Sequence, residues 1–234
     1  MKQQKLLTLV LVLAPVTALA HNNTAGVLRL GVSETHVGMG AGASANMPGL
    51  RLGVGGVWHG MGIRAGVSFA RGAGASLETF GVRATASPNA ALSPYAALGM
   101  IDLASLGGAT SSATTYSFNT STGQITPTTT TTDLPVRGVL MGYGFVGLRA
   151  RLDLNPRWQI AAHAGIGAGV GGSTTGLPAA AGGRSPFATD LGMGIRYRIS
   201  PHAVAALTYS RLAVPVRGAT FHSEGVSLTV AQTF

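Results

Sequence analysis

One pattern recurs from residue 26 to the end of the chain. Segments of about ten residues alternate bulky apolar side chains with small or charged ones. Leu28, Leu30 and Val32 alternate with Arg29, Gly31 and Ser33, and Leu50, Leu52 and Val54 with Arg51, Gly53 and Gly55. Ile63, Ala65, Val67 and Phe69 interleave with Arg64, Gly66, Ser68 and Ala70; Phe80, Val82 and Ala84 with Thr79, Gly81 and Arg83. Leu191, Met193, Ile195 and Tyr197 do so with Asp190, Gly192, Gly194, Arg196 and Arg198. Successive side chains of a strand point to opposite faces, so one face collects Leu, Val, Ile and Phe and the other Gly, Ser, Thr, Asp and Arg. With 35 Gly in 234 residues, helices are disfavoured, because each interior Gly costs about 1 kcal/mol. An apolar fraction of 46% with 10% charged residues excludes a disordered tail.

The first twenty residues stand apart. Lys2 and Lys5 precede an apolar stretch from Leu6 to Val16, and Ala18-Leu19-Ala20 forms a small-residue cleavage site before His21. This is the layout of a secretory signal peptide, and the stretch is shorter than the ~20 residues of a spanning helix. Its removal leaves fourteen Arg against seven acids, a mature charge of +7. Cys is absent, which excludes a disulfide framework, thiolate metal ligation and a Cys nucleophile.

Alternation alone fits a soluble sandwich as well as a barrel in lipid. The connections separate the two. Trp58-His59-Gly60, Asn155-Pro156-Arg157 and Ser200-Pro201-His202 are tight, whereas the connections near 38–48, 105–135, 172–186 and 213–222 are expected to be longer. Short turns at one end and long loops at the other mark an outer-membrane barrel, with the short end periplasmic. Trp58 and Trp158 beside the tight turns suit an interfacial aromatic girdle. The expected fold is all-β, a closed antiparallel up-and-down transmembrane barrel of ten strands, with eight as the alternative. The strands are placed at about 26–37, 49–58, 61–70, 77–86, 94–104, 136–154, 157–171, 186–199, 203–212 and 223–234. The domain expected is 21–234, carrying a Thr/Ser-rich mobile extracellular loop at about 105–135.

The last strand ends Val226-Ser227-Leu228-Thr229-Val230-Ala231-Gln232-Thr233-Phe234. It resembles the terminal strand of bacterial outer-membrane proteins, whose C-terminal Phe and alternating apolar residues are read by the barrel-assembly machinery; Gln232 departs from that pattern. The resemblance implies that Val226, Leu228, Val230 and Phe234 form an assembly signal. The mature chain as a whole resembles small outer-membrane barrels of the OmpA, OmpX and opacity-protein type, which implies a bacterial outer-membrane location. That architecture hosts many functions.

The alternation sends Arg29, Arg51, Arg64, Arg83, Arg149, Arg151, Arg196 and Arg198 into the lumen, with Asp153, Asp190 and Asp102 as the only acids to meet them. Such an excess suits either a narrow anion-preferring pore or an Arg-carboxylate plug filling a small barrel; lumenal Gly165, Gly167, Gly169 and Gly171 could widen the bore or curve the strands. Arg71, Arg137, Arg184, Arg211 and Arg217 fall at the outer rim, where guanidinium groups could pair with lipopolysaccharide phosphates. His222-Ser223-Glu224 is the one cluster similar to a lipid deacylase site, and it could act only from a loop, since neighbours on a strand diverge. The histidines lack ligand spacing, so neither a metal nor a cofactor is expected. The expected role is structural or surface interaction, with outer-membrane lipid, lipopolysaccharide and an extracellular ligand as partners and no nucleic acid. A narrow anion-leaning pore is the alternative, and a lipid-modifying enzyme the remaining one.

Overall fold

The structure, a computed structural model, describes residues 26–39, 43–72, 74–106, 110–119, 124–133, 136–175, 187–216 and 219–234. The expected leader, 1–20, lies outside the described residues. The strands are β1 (Val27–Met39), β2 (Ala43–Trp58), β3 (Met61–Gly72), β4 (Ala75–Ala86), β5 (Leu92–Leu106), β6 (Thr110–Asn119), β7 (Gln124–Asp133), β8 (Val136–Asp153), β9 (Trp158–Thr175), β10 (Ala188–Ser200), β11 (Ala203–Val216) and β12 (Ala219–Thr233). Ten of them close a barrel in the order β1-β12-β11-β10-β9-β8-β5-β4-β3-β2, while β6 and β7 pair with each other outside it. Every neighbouring pair is antiparallel, and β1 with β12 completes the ring. The start of β1 and the end of β12 clasp through Gly26 N–H to Phe234 O and Phe234 N–H to Gly26 O, both 3.1 Å.

The periplasmic connections are as tight as their sequences suggest. Between Trp58 and Met61 the turn is His59-Gly60, with φ of +47° and +78°, the left-handed pair of a two-residue hairpin. The connection after β4 folds back toward the lumen. Ser93 Oγ donates to Ser87 O at 2.8 Å, and Arg149 Nη1 donates to Pro88 O at 3.0 Å.

At the opposite end the strands run further than the alternation suggested. Residues 38–48 and 213–222, expected as longer loops, are mostly strand, since β1 continues to Met39, β2 starts at Ala43, β11 reaches Val216 and β12 starts at Ala219. The reason is an inversion of face. Along β1 the outward side chains are Leu28, Leu30 and Val32, then Glu34 and His36, while the inward ones are Arg29, Gly31 and Ser33, then Val37 and Met39. Alternation persists, but its apolar set changes sides as the strand leaves lipid. The outward band is apolar from Leu140 to Leu152 on β8, about 30 Å along the axis at ~3.3 Å per residue and ~40° tilt. Trp58, Trp158 and Tyr197 border it below, Phe69, Phe80 and Tyr209 above; Trp158 and Tyr197 pack at 4.7 Å between ring centroids.

The Thr/Ser-rich insertion, expected as a mobile loop, contains the β6–β7 hairpin. Thr is β-branched and favours extended backbone, and facing Thr pairs can bond across the ladder, as Thr114 and Thr129 do at 3.1 Å. The Asn119 to Gln124 pairing closes the ribbon, and Tyr116 is 73% exposed.

Candidate functional site

Two layers fill the described interior. Nearer the extracellular end lies an apolar plug: Val37, Met39, Met47, Leu77, Ile101, Leu103, Val139, Met141, Val214 and Phe221 are each no more than 2% exposed. They project from β1, β2, β4, β5, β8, β11 and β12, seven of the ten barrel strands. Val37 lies about 20 Å along the axis from the Arg29 level, by the same rise and tilt. This layer was missed in the sequence because Met39, Met47, Val214 and Phe221 fell in segments read as loops, while the others sat near strand ends, on the face read as polar.

Below the plug is a cavity of about 430 Å³, lined by Arg29, Arg51, Arg64, Arg83, Arg149, Arg196 and Asp190 and roofed by Leu77, Phe145 and Leu212. The expected lumenal set thus divides. Those seven residues face one space, whereas Arg151, Asp153 and Arg198 stand at the periplasmic mouth. There Arg151 Nη2 lies 3.0 Å from Asp153 Oδ2, and Gln159 Nε2 donates to Asp153 Oδ1 at 2.6 Å. Asp102 is not lumenal. Opposite Glu78 in the ladder, it points outward above the lipid band, because its inward neighbours are Ile101 and Leu103.

Asp190 is the hub of the cavity wall. Arg83 Nη2 donates to its Oδ2 at 2.6 Å, the Tyr95 hydroxyl donates to the same oxygen at 2.9 Å, and His163 Nε2 lies 3.2 Å from Oδ1. Arg83 also stacks over the Tyr95 ring, 4.5 Å from its centroid. Tyr95 and His163 were not singled out by sequence reasoning. The signal that could have found them is the glycine opposite each one. A Cβ on Gly165 would collide with the Tyr95 hydroxyl, one on Gly99 with the Tyr143 hydroxyl and one on Gly192 with the His163 ring. At Gly99, Gly165 and Gly192 the missing side chain is room for a ring.

The other cavity arginines have no carboxylate in salt-bridge range among the described residues. Arg51 Nη1 reaches Ser227 Oγ at 3.4 Å and Arg196 Nη1 reaches Gln159 Oε1 at 3.1 Å. The Nε atoms of Arg29 and Arg51 are buried without a hydrogen-bond partner.

Of the outer-rim arginines, Arg71 and Arg211 are exposed on outward faces at the edge of the apolar band. Arg211 stands opposite Glu224 on β12. The Arg137 side chain, Arg184 and Arg217 lie outside the described residues. Val226, Leu228, Val230 and Phe234 all lie outward, at 47–62% exposure. His222, Ser223 and Glu224 do not assemble. They sit on β12, where Ser223 pairs with Val37 on the lumenal face while His222 and Glu224 turn outward. Among the described residues no group of His, Asp and Glu could hold a metal ion.

The closed sheet and outward apolar band invite comparison with solved structures. The outer membrane protease OmpT from Escherichia coli is similar at TM-score 0.54 and 8% identity, over 91% of this chain and 97% of that one. The fold is that of the bacterial outer-membrane β-barrels. Neisserial surface protein A is also similar, at TM-score 0.43 and 12% identity over 90% of this chain and 99% of that one. An outer membrane channel from Pseudomonas putida gives 0.45 and 10% over 90% and 96%. No protein-family model and no curated protein sequence matches the chain. A barrel of this kind, with lipid-facing Leu, Val and Ile between two aromatic belts, resides in the outer membrane.

Proposed function

We propose that this outer-membrane barrel is a surface-interaction protein rather than a solute channel. The observation that carries the reading is the inverted upper wall. Above the lipid band the barrel turns apolar residues inward and Glu34, His36, Asn46, Asp102 and Arg211 outward, which makes a sealed, water-facing pedestal. On that pedestal stands the Thr-rich ribbon of β6 and β7. Both faces of β7 are exposed from Thr126 to Thr130, and a two-stranded ribbon can take an incoming strand along an edge. Polar segments projecting from a rigid scaffold commonly carry recognition.

The membrane partner fits the same picture. Arg71 and Arg211 sit at the depth of outer-leaflet headgroups, where guanidinium groups pair with lipopolysaccharide phosphates. The test is a barrel lacking residues 107–134, displayed on cells beside the intact protein. Loss of surface or cell-cell adhesion with unchanged folding supports the reading; unaltered adhesion counts against it.

A further inference from the structure

We infer that the lumenal cavity is a binding site for a phosphate-class oxyanion entering from the periplasmic mouth. Arg29, Arg51, Arg64, Arg149 and Arg196 converge on one space of about 430 Å³, and Arg64 and Arg196 lie within electrostatic reach of Arg29 and Arg149. The acid in that space, Asp190, is already engaged by Arg83, Tyr95 and His163. Five guanidinium charges therefore share a low-dielectric interior with no carboxylate of their own among the described residues. Leaving them so is costly, because a buried charge needs a partner.

The chemistry of the missing partner follows from the donors. Guanidinium presents paired N–H groups in a plane that matches the oxygens of a phosphate, and Arg29 and Arg51 each hold a buried Nε–H with nothing to donate to. The space would take about a dozen waters at ~30 Å³ each, which accommodates pyrophosphate with part of its hydration. The plug roofs the cavity, so a lipid headgroup in the outer leaflet cannot enter from above. At the mouth Arg198 and Asp153 are exposed and give a soluble anion a polar entrance. The site is thus a closed-ended anion pocket, distinct from a pore.

Refolded protein in neutral detergent, titrated with inorganic pyrophosphate at fixed ionic strength, tests this directly. Saturable stabilisation against heat is expected, exceeding that from chloride. Arg64→Gln is expected to weaken pyrophosphate binding by more than about tenfold, the size of one lost charge-assisted contact. The same substitution is expected to raise the melting temperature without added anion, because it relieves repulsion. Arg157→Gln, in an exposed periplasmic turn, is expected to leave both quantities unchanged. Equal responses to pyrophosphate and chloride, or unchanged pyrophosphate binding in Arg64→Gln and Arg29→Gln, would overturn the site. Lipopolysaccharide forms a separate arm: stabilisation by it that is lost in Arg64→Gln, without any by pyrophosphate, would also overturn it.

Discussion

Arg83 on β4 and Asp190 on β10 meet across the lumen at 2.6 Å, with side chains 27% and 11% exposed. The contact joins walls that are not neighbours in the sheet, and Tyr95 and His163 complete it. Asp190→Ala should destabilise the folded barrel by on the order of 3 kcal/mol, since removing one partner strands the other charge. The double change Arg83→Met with Asp190→Ala should lose less than the sum of the two single changes. Urea unfolding in lipid vesicles measures both.

A Cβ at position 165 would meet the Tyr95 hydroxyl, and the Tyr95 ring lies against Gly147. Gly165→Ala should therefore cost about 1–3 kcal/mol through overpacking and break the Tyr95 bond to Asp190. Adding Tyr95→Phe removes the colliding oxygen. Its partial rescue of stability, read as non-additivity in the same unfolding assay, would confirm that the glycine exists to seat the ring; strict additivity would deny it.

The strands were legible in the sequence because lipid imposes one rule on outward residues, and Leu28, Leu30 and Val32 obey it. The inward parity of the Arg set follows from the same rule, and six of its eight members line the cavity. The plug was not. Met39, Met47 and Phe221 occupy the same lumenal parity as Arg29, Arg51 and Thr229, so an apolar-outward rule discards them as loop just where water replaces lipid outside. The Tyr95 and His163 cluster escaped because its partners lie on strands distant in sequence, 95 and 27 residues from Asp190.

The inversion along β1 fixes how deep each residue sits. Leu30→Arg should destabilise the barrel by about 2–4 kcal/mol, the cost of a lipid-facing Arg near midplane, whereas His36→Arg should cost no more than about 1 kcal/mol. Similar losses at both positions would show that the lipid band extends higher than the change of face indicates.

The plug can be opened deliberately. Met39 and Phe221 face each other on β1 and β12, and Met141 is also fully buried. Changing all three to Ser should cost several kcal/mol, since one large-to-small core change alone costs about 2–5. If the barrel survives, it should gain an anion-preferring leak through the Arg layer, read as reversal potential in a salt gradient.

The division of the lumen into an apolar seal above and an arginine pocket below is most directly tested by conductance of the refolded, unmutated protein in a planar bilayer. Silence is expected, with no stable single-channel steps under applied voltage in potassium chloride. Reproducible anion-selective steps from the native protein, lowered by Arg149→Ala and Arg196→Ala, would contradict it.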